Sequence, residues 1–430
     1  MTTHSDLLAR HRTVLPTWLA LYYEEPIALV DGTGRRVVDA EGNEYLDFFG
    51  GILTTMTGYN VPEVVEAVRA QAGRMVHTST LYLIEQQIEL AEKIADLSPV
   101  PDAKVFFTNS GTEANDAALL LATTYRRSNQ VLALRNSYHG RSFAAVSITG
   151  NRSWSPSSLS PVDVTYIHGG YKYRSPFGHL PDAEFTAACV DDLRDMLTIA
   201  TSGDVACMIA EPIQGVGGFA TPPDGFFGAM KDVLDESGIL FISDEVQTGW
   251  GRTGEHFWGI ESHGVEPDIL TFAKGLGNGL AIGGVVARAE IMDSIGANSI
   301  STFGGNPLST AGALANLDYI IDHDLQTNAL KVGQFLRNGI DQIAEESEIV
   351  GEVRGKGLMI GVELVVPGGK EPNAAAAGRI MEEAKKDGLL LGKGGLWGNV
   401  LRVAPPLTLT QEEAEEGLEI IGRAIEGATG

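Results

Sequence analysis

The chain has 430 residues, enough for two or three domains at roughly 100–200 residues each. Hydrophobic residues make up 43% and the formal net charge is −25. A surface that acidic repels phosphate backbones and anionic membranes, which argues against nucleic acid and membrane partners.

Residues 26–49 alternate polar and apolar with turn signals at Asp31-Gly32 with Gly34 and at Glu41-Gly42-Asn43, so they read as an antiparallel meander. Val64, Val65, Val68, Ala72 and Met75 then fall on one helical face, and Ile84, Ile88, Ala91 and Ala95 repeat the pattern. From there strands and helices alternate. Residues 103–110 read as a strand feeding a helix at 111–126, with further strands at 130–136, 205–212, 239–246 and 268–274 and a helix at 225–238. These strands are short and apolar throughout, as in a parallel sheet covered on both faces. The Ser/Pro-rich segment 151–183 reads as a long loop. Residues 348–365 read as a strand, a glycine turn and a second strand, and an acidic helix at 410–426 closes the chain.

The fold class is therefore α/β: a large, mostly parallel sheet covered by helices, plus a smaller α+β domain built from both chain ends. The boundaries are 1–59 and 311–430 for the small domain and 60–310 for the large one. Cys189 and Cys207 sit in apolar runs and read as reduced core thiols. The opening stretch lacks the apolar core of a signal peptide, and no run reaches the ~18 apolar residues of a membrane span. Both point to a cytoplasmic protein.

Four segments carry chemistry. Asn109-Ser110-Gly111-Thr112-Glu113 lies where a strand meets a helix. Unpaired N–H groups and the helix dipole favour an anion there, and ordinary N-capping by Ser110 or Thr112 explains the same residues. Ser137-Tyr138-His139-Gly140-Arg141 follows a strand, so the Tyr138 ring can cover a planar cofactor or simply fill the core. Asp244-Glu245-Val246-Gln247 ends an apolar strand. A buried Asp244 needs a cationic or strongly donating partner, which a protonated pyridine nitrogen supplies; an arginine such as Arg252 is the alternative. Metal ranks below this, because no histidine cluster of ligand spacing surrounds the pair. Lys274 ends the next apolar strand, with flexible glycines after it. Partial desolvation there frees its amine for imine chemistry. An acid and an amine at neighbouring strand ends, beside a phosphate loop, point to pyridoxal 5′-phosphate (PLP).

In this order, and with Glu211-Pro212-Ile213-Gln214-Gly215, Thr302-Phe303-Gly304-Gly305-Asn306-Pro307 and Leu401-Arg402-Val403, the segments resemble the class III (ω-amino acid) aminotransferases of PLP fold type I. The segments AEPIQGVGG, DEVQTGWGRTGEHFWG and VGEVRGKGLMIGVEL look closest to the alanine–glyoxylate and 3-aminoisobutyrate–pyruvate branch. The sequence departs from the family pattern at Gly58-Tyr59-Asn60-Val61-Pro62 and at Trp250.

The resemblance implies that Ser110, Gly111 and Thr112 hold the phosphate, with Thr302 coming from the second subunit of a homodimer whose active site lies at the interface. It implies that Tyr138, with His139 beside it, stacks on one ring face and Val246 on the other. Asp244 pairs with the ring nitrogen, Gln247 approaches the ring hydroxyl, and Lys274 forms the Schiff base and shuttles the proton. Arg402 binds an α-carboxylate, Arg141 a distal carboxylate, and Glu211 pairs with Arg402 when an ω-amine is bound. The implied reaction is ping-pong amino transfer from an ω-amino acid or alanine-like donor to pyruvate, glyoxylate or 2-oxoglutarate. A PLP-dependent phospho-lyase holding phosphate through Arg141, Lys172 and Arg174 is the alternative. A non-catalytic PLP-binding dimer conflicts with the intact Lys274, Asp244 and phosphate loop.

Overall fold

The computed structural model describes residues 4–428. Its first sheet is the antiparallel meander β1 (Leu29–Thr33), β2 (Arg36–Asp39) and β3 (Glu44–Asp47). The expected Asp31-Gly32 turn lies inside β1, and the chain reverses at Gly34, where φ is 60°. Gly32 serves packing instead: a Cβ there would sit 2.8 Å from the Tyr59 ring.

The central sheet comprises β4 (Ala103–Thr108), β5 (Gln130–Leu134), β6 (Asp163–Ile167), β7 (Val205–Ala210), β8 (Leu240–Asp244), β9 (Ile269–Phe272) and β10 (Gly283–Arg288). Their order is β4-β10-β9-β8-β7-β5-β6, and β10 alone runs antiparallel to its neighbours. The C-terminal ends of the other six strands therefore share one edge. Side chains alternate between two cores. Val131, Ala133, Ile209 and Ile242 meet Ala114, Ala118 and Leu121 of the helix Gly111–Arg126. Leu132, Met208 and Phe241 meet Phe185 and Phe226 from the helices Asp182–Ile199 and Phe226–Glu236. With an apolar core on each face, β7, β8 and β9 are buried at every position and show no polar alternation in the sequence.

Two strands of the central sheet escaped the sequence reading. β6 lies inside the stretch taken as a loop; it is an edge strand, only partly buried, and its flanking prolines mask it. β10 begins with Gly283-Gly284, which break its apolar pattern; a Cβ on Gly284 would lie 2.4 Å from the Phe272 ring. Glycine is required there for strand packing.

The third sheet contains β11 (Val350–Lys356) and β12 (Met359–Leu364), the expected pair around a glycine turn. β13 (Leu389–Leu390) pairs in parallel with β3 and joins the two chain ends. β14 (Gly392–Gly394) and β15 (Val400–Val403) complete the third sheet in the order β11-β12-β15-β14. On this grouping we propose the division into 60–310 and 1–59 with 311–430; residues 1–3 and 429–430 lie outside the described residues. Among the described residues no helix is long and apolar enough to cross a membrane. Cys189 and Cys207 are buried and unpaired.

Glu245 anchors the loop that follows β8. Its buried carboxylate accepts from the N–H groups of Gly259 (2.9 Å) and Ile260 (2.8 Å), from Ser243 Oγ (3.2 Å) and from the Thr248 hydroxyl. Glu245→Ala orphans these donors, and at about 1–3 kcal/mol per buried unsatisfied group it lowers the urea midpoint of unfolding markedly. Burial also pushes the Glu245 carboxyl up from 4.5 to about 7. In that window the folded chain holds a proton that the unfolded chain has released, so this group's contribution falls as pH rises. Glu245→Gln removes that contribution, which urea titrations at pH 5 and pH 7 check.

Candidate active site

The shared strand edge holds a cavity of about 360 Å³ lined by residues following β4, β5, β7, β8 and β9. After β4, Ser110 caps the helix Gly111–Arg126, its Oγ accepting from the Glu113 N–H at 3.2 Å. Capping and cavity lining thus coexist in the same residue. The N–H groups of Gly111 and Thr112 have no intrahelical acceptor, which makes this wall an anion site. After β5, Gly140 adopts φ 131°, and a Cβ there would lie 2.5 Å from Thr112 Oγ1. Its absence lets the Arg141 N–H donate to that hydroxyl at 3.3 Å.

Asp244 is 4% exposed and ends β8. Its Oδ2 accepts from Asn115 Nδ2 at 2.8 Å and lies 2.7 Å from His139 Nδ1; its Oδ1 accepts from the Val246 N–H at 3.1 Å. Arg252, the alternative partner, lies elsewhere and donates to the carbonyls of Leu358 and Pro405. Asn115 was not singled out from the sequence. It also donates to the His139 carbonyl at 2.8 Å and accepts from Thr271 Oγ1 at 2.7 Å, so one amide joins three strand ends. The only prior signal was a polar residue on the apolar face of a helix.

Lys274 follows β9 at φ 42° and opens a short 3-10 turn, Lys274–Gly277. The first glycine after it is packed rather than free: a Cβ on Gly275 would lie 2.1 Å from the Met56 methyl, whereas Gly279 stands in open space. Asn316 clamps the turn, donating to the carbonyls of Gly275 (2.9 Å) and Leu276 (3.0 Å). Lys274 keeps solvent contact through the cavity, but burial pushes its ammonium down to about 8, and Arg402 adds to this against Asp244 and Glu211.

Tyr138, His139, Val246 and Gln247 line the same cavity. The Gln247 Oε1 and His139 Nε2 atoms are buried without a hydrogen-bond partner among the described residues. Glu211 is buried beside them and accepts from the N–H groups of Tyr138 (2.9 Å) and Gly215 (2.8 Å); burial raises its carboxyl above the ordinary range.

The remaining expected residues stand apart. Arg402, on β15, is buried between Phe49 and Phe219, 4.8 and 5.5 Å from the ring centres. It donates to the carbonyls of Lys393 (3.1 Å) and Gly215 (3.4 Å) and forms no ion pair among the described residues, with Glu211 or otherwise. Arg141 is exposed, 5.2 Å from the Trp18 ring centre, and Thr302 is exposed. The cluster expected of a phospho-lyase does not form. Lys172 pairs with Asp182 at 2.5 Å and Arg174 with Glu363 at 2.6 Å, and neither lines the cavity.

Only the neutral amine is nucleophilic, so a depressed Lys274 reacts at lower pH than ordinary lysines. In cofactor-free protein, labelling of Lys274 by an amine-selective arylating reagent, followed by peptide mass spectrometry, rises with pH and levels off just above 8, while exposed lysines continue to gain reactivity to about 10.4.

Residues 22–425 match the family model Aminotransferase class-III. The chain is 41% identical over 411 residues to alanine–glyoxylate aminotransferase 2 homolog 2, mitochondrial, of Arabidopsis thaliana, covering 95% of this chain and 85% of the relative. It is 38% identical over 429 residues to the alanine/serine racemase of Pyrococcus horikoshii, covering 98% and 90%. Among solved structures, an amine transaminase from an uncultivated Pseudomonas species, in its PLP-bound form, aligns with a TM-score of 0.89 and 31% identity over 95% of this chain and 96% of the other. The residues present fit that cofactor. A buried carboxylate and a depressed lysine amine line one cavity, a pair of helix N–H groups with no intrahelical acceptor can meet its phosphate, and the orphaned Gln247 oxygen can meet its ring hydroxyl. The chain belongs to the class III aminotransferase family and is a PLP-dependent transaminase of fold type I.

Proposed function

We propose that the chain moves an amino group from an ω-amino acid or alanine-like donor to pyruvate, glyoxylate or 2-oxoglutarate by a ping-pong mechanism. The observation that carries this is Arg402, a buried guanidinium between two aromatic rings with no carboxylate partner among the described residues. Such a cation is costly alone, and a substrate carboxylate met bidentately offsets that cost. Arg141 is likewise without an ion pair among the described residues and takes the distal carboxylate of an ω-amino acid.

The bound cofactor supplies an electron sink for the carbon that loses its proton. Gly111 and Thr112, which line the cavity, would hold its phosphate, and Tyr138 and Val246 would cover its two faces. Asp244 keeps a proton on its ring nitrogen, oriented by Asn115, His139 and the Val246 N–H. Lys274 Nζ would take the proton from the donor carbon and deliver it to the cofactor carbon, for which a value near 8 suits neutral pH. Glu211, with a raised carboxyl, is the counter-charge for Arg402 when the substrate brings none.

We place the site at the interface of a cytoplasmic homodimer, with Thr302 reaching the partner's phosphate loop. Exposed apolar side chains at Leu81, Tyr82 and Leu83, and at Ile300 and Phe303 beside Thr302, support a covering second copy. The buried, unpaired cysteines support a reducing compartment.

Stopped-flow absorbance across amino donors tests the assignment. Arg402→Ala raises KM for alanine roughly 10- to 100-fold, the worth of a charge-assisted hydrogen bond. Arg141→Ala raises KM for β-alanine but not for alanine; unchanged β-alanine kinetics exclude the ω-amino acid assignment. Racemisation of L-alanine without consumption of any keto acid would overturn the amino-transfer reading itself.

A further inference from the structure

A second buried charge cluster lies outside the cavity, where β11 and β12 meet the segment 171–174. Glu363 is fully buried. Its carboxylate is met by Arg354 Nη2 (2.7 Å), Arg174 Nε (2.6 Å), the Asn399 amide (3.1 Å) and the Tyr171 hydroxyl. The Arg354 guanidinium lies 4.7 Å from the Tyr171 ring centre, and its Nη1 reaches Glu352 at 2.5 Å. Two carboxylates, a ring and a second arginine would be an extravagant way to fill a core. Stability alone does not favour it, since a buried ion pair is often no better than an apolar replacement.

The remaining contacts of Arg354 show where the cluster acts. Nε and Nη2 both donate to the Gly218 carbonyl, at 3.0 and 2.8 Å. Gly218 sits at φ 90° and Phe219 at φ 54°, a tight left-handed reversal in which the Gly218 N–H donates back to the Gly215 carbonyl at 3.2 Å. That same carbonyl accepts from Arg402 Nη1, the Gly215 N–H donates to Glu211, and the Phe219 ring flanks the Arg402 guanidinium. The reversal therefore holds both the acceptor and the ring that aim Arg402, and a forked double hydrogen bond from Arg354 holds the reversal.

We propose that Arg354, braced by Glu363, is a positioning residue for carboxylate recognition, acting on Arg402 through the Gly215–Phe219 reversal. This rests on the reading of Arg402 as the α-carboxylate site. Glu363 fixes the guanidinium plane, the plane fixes the Gly218 carbonyl, and the reversal then presents Gly215 and Phe219 to Arg402. The effect is selective: substrates with an α-carboxylate feel it, and amines without one do not.

The test uses the PLP-loaded enzyme. Arg354→Lys keeps the charge against Glu363 but cannot span one carbonyl with a planar fork. The expected result is a KM for alanine and pyruvate raised about fivefold or more, with kcat within about twofold and the half-reaction with isopropylamine unchanged. The Kd of propionate, measured by calorimetry, rises by the same factor. Equal losses with alanine and isopropylamine, or an unchanged propionate Kd, overturn the proposal. If Arg354→Lys does not fold, Gly218→Ala perturbs the same contact from the other side, because its Cβ would press on Val400 at 2.8 Å and on Arg354 Nη2 at 3.2 Å, and it is read the same way. Arg402→Ala separates the two ideas. If it leaves the alanine-to-isopropylamine ratio unchanged, the α-carboxylate reading fails; if it shifts that ratio while Arg354→Lys does not, only the positioning role fails.

Discussion

A carboxylate and an amine, brought to the tips of two adjacent parallel strands, set the terms for the rest of this structure. Asp244 ends β8, Lys274 follows β9, and the strands pair in register with Asp244 opposite Thr271. A carboxylate withdrawn from water must be met by donors, and here two come from other parts of the chain, Asn115 on the helix after β4 and His139 after β5, and a third from the neighbouring backbone of Val246. Each of these elements must then reach the same sheet edge. Parallel strands with helical crossovers achieve this, because every crossover returns the chain to the same edge.

Close approach at that edge is what the glycines provide. Gly140 lets the loop after β5 lie against Thr112, and Gly275 lets the lysine turn lie against Met56. The turn carrying Lys274 is in turn tied by Asn316 to the helix Pro307–Asp322. The amine that must move a proton thus stands on backbone that is itself immobilised from behind.

Three buried arginines show three solutions to one electrostatic problem. Arg354 is paired with Glu363 and Glu352. Arg252 meets carbonyls and the Met56 sulfur but no carboxylate among the described residues, and burial pushes it down to about 9; it clasps the loop after β8 to residues 358 and 405. Arg402 has two long carbonyl contacts, the nearby Tyr22 hydroxyl and two aromatic rings, with no ion pair among the described residues. The least satisfied of the three is the one beside the reactive lysine, which is where a ligand that completes its coordination has the most to contribute.

The sequence by itself determined five of the seven central strands, the helix that begins at Gly111, the Asp244 and Lys274 pair and the family, because each rests on local pattern: apolar runs, a cap, a strand end, a motif. β6 and β10 were illegible because an edge strand lacks a continuous apolar run and paired glycines imitate a loop. Only the tertiary structure decided that Asn115 and Asn316 hold the acid and the amine, that Arg402 stands without a carboxylate while Lys172 and Arg174 are already paired, and that the VGEVRGKGLMIG segment braces a reversal far away in the chain. Hydrogen-bond partners and burial depend on which remote segments the fold brings within about 3 Å, and no spacing along the chain encodes that distance.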